Sequence, residues 1–124
     1  EKRTGHFLVH AELLALEAAD KQRLSLDERR RASLYTNLEP CLMCIGAAMS
    51  FFLGEIVYAL ESPGDGAVGL VGNWARNSDD FPGYRTPKIT GGILRCESRE
   101  LFEAYIKQQP PGPKRDWAAT LTRL

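Results

Sequence analysis

Helical stretches alternating with single strand-like runs predict an α/β sandwich around a mixed or parallel sheet. Three observations point to it. Residues 10–20 are rich in alanine and leucine, and residues 40–53 are almost wholly apolar, so both read as helices. Runs at 33–37, 55–60 and 89–95 are rich in β-branched and aromatic residues and read as strands. The chain has 124 residues, enough for one domain that buries about two thirds of its unfolded surface and needs no disulfides.

The elements follow in order. His10–Asp20 is a helix that is apolar on most sides and is therefore expected to be buried. Ser25 followed by Glu28 is a capping box for a short charged helix ending near Arg31. Ser33–Asn37 is a short strand. Pro40 opens a second helix that runs to about Leu53, with Gly54 as its stop and almost no polar face, so it should be central. Glu55–Leu60 is a strand. Ser62–Pro87 is long, rich in glycine and proline, and of a length that is usually functional; part of it can be helical. Ile89–Arg95 is a third strand, and Glu97–Gln109 an amphipathic helix with Leu101, Phe102, Tyr105 and Ile106 on one side. Pro110–Pro113 is a hinge, after which Asp116 is an N-cap for a last helix at Trp117–Leu124. Three strands are few for a sheet.

Composition narrows the function. Sixteen basic residues balance sixteen acidic ones, which argues against a general polyanion binder while leaving room for a local basic patch. Hydrophobic residues at 44% and charged residues at 26% exclude disordered and fibrous classes. The longest uncharged run, Pro40–Gly54, is too short to span a bilayer. Three cysteines, two of them three residues apart, fit metal binding and a cytoplasmic chain better than a disulfide framework. The chain begins at Glu1, not at methionine, as a processed chain or a fragment would.

The chemistry concentrates in four residues. Cys41 and Cys44 lie at i and i+3 at the start of the second helix, where unpaired N–H groups and the helix dipole favour thiolates. A lone Cys-x-x-Cys also suits a thioredoxin-like redox pair or a buried structural pair. Adding His10 gives three ligands and an open fourth position, the arrangement of a catalytic zinc site. Zinc lowers the pKa of a bound water from about 15.7 to about 7. Glu12 is then the candidate general base, reaching round from beside His10.

His10-Ala11-Glu12 followed by Pro40-Cys41-Leu42-Met43-Cys44 resembles the H-x-E and P-C-x-x-C signature of the zinc-dependent cytidine and deoxycytidylate deaminase superfamily. Leu38–Ala47, Gly66-Ala67-Val68-Gly69 and Ile89–Leu94 resemble the branch holding tRNA adenosine deaminases, guanine deaminases and cytosine deaminases. The resemblance runs from about residue 10 to 106. It implies a three-layer α/β/α sandwich of the cytidine deaminase-like type with a mixed sheet. It implies Zn2+ held by His10, Cys41 and Cys44, and Glu12 as the catalytic acid–base. The reaction implied is attack of activated water at C4 of a pyrimidine or C6 of a purine, with ammonia leaving. The first expectation is a free nucleobase or nucleoside as substrate. Editing of a base within tRNA or single-stranded DNA is the alternative, and a catalytically silent zinc-stabilised module a third. A homodimer is implied, with the Met49–Leu53 region as its interface. Family members carry a helix and a hairpin before the H-x-E helix, together with a substrate-binding asparagine. Only residues 1–9 precede His10 here, so that helix and hairpin are expected to be absent, and residues 1–5 match the loop after the asparagine. The expected division is a catalytic domain at 1–109, N-terminally incomplete, and a hinge and short helix at 110–124.

The remaining candidates have plainer readings. Glu39 complements a helix N-terminus or makes a structural hydrogen bond. Cys96 is a buried inert thiol. His6 is a loop histidine, and Arg29-Arg30-Arg31 a solvated face. Trp74 and Phe81 are divided between pocket wall and ordinary packing, and Trp117 anchors the last helix.

Overall fold

The computed structural model describes residues 6–124, so the expectation for residues 1–5 lies outside the described residues. The elements run α1 (Ala11–Asp20), α2 (Leu26–Arg31), β1 (Ser33–Leu38), α3 (Leu42–Phe51), β2 (Glu55–Leu60), α4 (Val68–Asn77), β3 (Lys88–Thr90), α5 (Arg95–Gln108) and α6 (Pro113–Leu121). The described strands form one parallel sheet in the order β1-β2-β3. Its register sets Leu34 beside Ile56 and Ile56 beside Ile89. Parallel neighbours need a crossover, which α3 supplies between β1 and β2.

Alternation along β1 divides the layers. Leu34 packs with Leu16 of α1 and with Ala48 and Phe51 of α3. Tyr35, its neighbour, points to the other face, where it lines a groove with Leu101 of α5. On that second side Leu60 meets Phe102, Ala118 and Leu121, joining α5 and α6 to the sheet. The result is the expected α/β/α arrangement. A third cluster, Ile45, Ala67 and Val71, seats α4 against α3.

Several boundaries differ from expectation for identifiable reasons. Helix α1 is not buried: only Leu16 is inaccessible and Leu14 is exposed, because α1 packs mainly on α3 and shows its other sides to solvent. Helix α3 begins after Cys41, its N-cap, and stops at Phe52 in the left-handed region (φ 64°) before reaching Gly54. Gly54 serves a different need, since a Cβ there would overlap the Arg30 carbonyl. Strand β3 ends at Thr90 because Gly91 passes against the Tyr58 ring, where a Cβ would collide, and Gly92 turns the chain at φ 82°. Residues 93–94 therefore form a turn, and Arg95 opens α5. On α5, Phe102 is buried but Leu101 is exposed. Helix α6 starts earlier than expected, with Gly112 as N-cap and Pro113 at its first position, so Asp116 lies in the first turn and is not the cap. The Ser25–Glu28 capping box forms as expected, with bonds of 2.7 and 3.2 Å. Among the described residues no helix is long and apolar enough to cross a membrane.

Candidate metal centre

Two helix starts meet at one point. His10 is the N-cap of α1, with extended backbone, and its carbonyl accepts from the Leu14 N–H. Cys41 is the N-cap of α3, also extended, and its carbonyl accepts from the Ile45 N–H. Cys44 follows within the first turn of α3 and is fully buried. His10 Nδ1 lies 3.6 Å from Cys41 Sγ and 3.5 Å from Cys44 Sγ, and the two sulfurs are 3.6 Å apart. Tetrahedral zinc, with bonds of about 2.3 Å to sulfur and about 2.0 Å to nitrogen, sets such donors roughly 3.5–3.8 Å apart. The three side chains therefore fit zinc in both donor type and spacing.

The surrounding charge agrees with a bound cation. Burial, and then the negative charge of Glu12, push the Cys44 thiol well above its ordinary range, with Cys41 and Asp65 adding to the effect. The expectation that this thiol ionises readily at the helix start is thus corrected for the protein without metal. Desolvation and neighbouring anions favour the neutral thiol at Cys44, and a cation held at the trio would favour the thiolate.

Glu12 is half-buried in the first turn of α1 and is not among the clustered donors. Because His10 is an extended N-cap, helical periodicity does not place its ring, and the i, i+2 spacing is no obstacle. Glu12 Oε1 accepts a 3.1 Å hydrogen bond from Thr36 Oγ1 on β1. Sequence reasoning missed Thr36. The signal was available: alternation from Leu34 puts this polar side chain on the inward face of β1.

Glu39 acts as a structural clasp, as expected. Its carboxylate accepts from the Ser62 N–H at 3.0 Å and from the Val68 N–H at 3.1 Å, the latter at the start of α4. The Ala67 N–H donates to the Pro40 carbonyl, and Cys41 bridges to Gly66. The β1–α3 and β2–α4 loops are thereby locked together beside Cys41. Gly66 is required there, since a Cβ would overlap the Glu39 carboxylate.

Other candidates lie elsewhere. Cys96 is exposed near the start of α5, contrary to the buried thiol expected, because its side of that helix is uncovered. Arg29 is not part of a solvated face: it bonds the Leu24 carbonyl and Asp20 and lies 4.5 Å over the Phe51 ring. Arg31 pairs with Asp27 at the surface. His6 is exposed. Trp74 packs against the α3–α4 cluster and stands 6.4 Å from the exposed Phe81 ring. Trp117 meets Phe102 edge-on at 5.8 Å, as an anchor should. Within Met49–Leu53, Phe51 and Leu53 are core residues and Phe52 is exposed, so the stretch offers no continuous apolar surface.

Comparison with known proteins places this arrangement. Residues 1–60 match the family described as the cytidine and deoxycytidylate deaminase zinc-binding region. The chain is 33% identical over 123 residues to a tRNA(Ile)-lysidine synthase of Deinococcus radiodurans, covering 96% of this chain and 20% of that protein. It is 30% identical to tRNA-specific adenosine deaminase 2 of Xenopus tropicalis, covering 86% of this chain and 65% of that one. A solved structure from work on A-to-I editing by tRNA:A34 deaminases at the wobble position of transfer RNA superposes with a TM-score of 0.58 at 26% identity. That superposition covers 74% of this chain and 64% of the other. The chain thus spans a fifth of the synthase and under two thirds of the deaminase relative.

Proposed function

We propose that this chain, similar in sequence and fold to the cytidine and deoxycytidylate deaminase superfamily, is the zinc-bearing part of a hydrolytic deaminase acting on a base within tRNA. The observation that carries the chemistry is the convergence of His10 Nδ1 and two cysteine sulfurs at 3.5–3.6 Å, with a carboxylate beside them that is not a donor. That these relatives are tRNA enzymes supports tRNA as the source of the base.

In this reading His10, Cys41 and Cys44 hold the zinc. When bound, the metal supplies a Lewis acid that makes water acidic near neutral pH. Glu12 would take one proton from water and give it to the ring nitrogen, then carry the second, from the newly added hydroxyl, to the departing amine, so that amine and water become carbonyl and ammonia. Burial of Cys44 keeps solvent from one side of the site. Residues 1–109 form the catalytic part and 110–124 a hinge with a closing helix, the chain working as a homodimer in the cytoplasm.

A second reading, deamination of a free nucleobase or nucleoside, has one observation in its favour: formal net charge zero, where phosphate tracking favours a basic surface. The test is ammonia release from zinc-loaded chain offered adenosine in a tRNA transcript, then free adenosine, guanosine, cytidine and their bases. Release from the transcript alone supports the first reading, and release from a free compound alone the second. In either case Glu12→Ala should keep about one zinc per chain and lose turnover. Undiminished turnover in that variant overturns both.

A further inference from the structure

We infer that Thr36 is a positioning residue for Glu12, fixing which carboxylate oxygen faces the reaction. The inference rests on Glu12 as the acid–base and adds a residue to it.

A glutamate has three rotatable side-chain bonds and, in the first turn of a helix, little to hold its end. Thr36 differs in kind. Its backbone is held in the sheet by parallel pairing with Tyr58, and its β-branched side chain is restricted to few rotamers. Its hydroxyl lies within reach of two acceptors, Glu12 Oε1 at 3.1 Å and the carbonyl of Leu38, two residues on, at 3.2 Å. Its single O–H proton serves these two acceptors, and the oxygen itself is placed by the strand. A donor fixed this firmly selects one orientation of the Glu12 carboxylate. Oε1 is tied to the strand, and Oε2 is the oxygen left for proton transfer. The contact joins elements 24 residues apart in the chain, and both side chains are half-buried. Serine keeps the hydroxyl on a less restricted side chain; valine keeps the shape and removes the donor.

The test separates positioning from folding. In the zinc-loaded chain Thr36→Val should lower kcat about 10- to 100-fold, the range for partners one step removed from a metal site, with KM and zinc content unchanged. Thr36→Ser should recover most of the loss. Thr36→Ala replaces the valine arm if that chain fails to fold. A second readout needs no turnover: in metal-free protein, Thr36→Val should lower the urea midpoint more when Glu12 is present than in a Glu12→Ala background. Equal shifts in the two backgrounds overturn the inference. So does an unchanged kcat in Thr36→Val beside an inactive Glu12→Ala, or a loss that serine does not recover. Turnover surviving Glu12→Ala instead overturns the role of Glu12 itself.

Discussion

The face of the sheet covered by α1 and α3 differs in kind from the face covered by α5 and α6. On the first, polar groups are buried or half-buried and answer one another: Thr36 bonds Glu12, Glu39 clasps two backbone N–H groups, and three metal-donor side chains converge. On the second, apart from Ser98 bonded to the Asn37 carbonyl, the packed residues are Leu60, Phe102, Ala118 and Leu121. Beside them runs a groove of about 520 Å3 bordered by Tyr35, Leu94 and Leu101. No cluster of metal-donor side chains falls on this face among the described residues. The difference teaches that the chemistry is made by the ends of elements on one side, while the other side holds the sheet in register. Changes on the first face should therefore read out in metal retention or in turnover, and changes on the second in stability alone.

The largest expected effect tests the second half of that division. Leu121 is 2% exposed and packs against Leu60 and Phe102 across the α5–α6 seam. Leu121→Ala should cost about 2–4 kcal/mol in urea unfolding, while the folded chain keeps its full zinc complement. Zinc lost from the folded variant would show that the two faces are coupled.

Gly66→Ala tests the first half. The added Cβ must displace the Glu39 carboxylate or the Ser62 carbonyl, loosening the loops around Cys41. About 1–3 kcal/mol of stability should go, and zinc should pass to a competing chelator faster than from the parent chain. An unaltered rate of zinc loss would mean the clasp does not support the donors.

The donors were legible in the sequence because their chemistry demands particular residue types at particular spacings, and nothing else in the chain repeats that pattern. The order of helices and strands was legible from periodicity. The misread parts depend on what a residue meets after folding. The apolar residues of α1 suggested burial, but only packing decides which of its sides is covered, and α3 covers one. Leu94 gives no sign that its backbone turns left-handed (φ 57°) to start α5 early. Cys96 reads as a core residue by type, yet its side of α5 faces outward. Thr36 carries no motif at all; its meaning comes from the helix that lies across its strand.

Ser98 offers a smaller effect on the second face. It is 3% exposed, and its hydroxyl donates to the Asn37 carbonyl, tying α5 to β1. Ser98→Ala should cost about 1 kcal/mol in urea unfolding and leave zinc affinity as it was. A change in zinc affinity would again mean that α5 reaches the donors through the strand.

The smallest effect is set by pH and belongs to the same face. Glu61, just past β2, is held below the usual carboxylate range by its own backbone N–H, against a smaller opposing effect of burial and with help from Arg95. Arg95 Nε lies 2.8 Å from Glu61 Oε2, and its Nη2 donates to the Leu124 carbonyl at 2.9 Å, so this pair ties the end of α6 to the end of β2. A carboxyl whose pKa is lower folded than unfolded stabilises the fold above its unfolded pKa. That contribution disappears as pH falls through the folded value. The stability difference between the parent chain and Glu61→Gln should therefore shrink from about pH 6 to about pH 3, measured by urea unfolding. Both side chains are partly open to solvent, so the difference should be small and should shrink again in about 1 M salt. A difference that grows in acid would reverse the sign argued for Glu61. One that moves zinc affinity with it would break the separation of the two faces at its weakest seam.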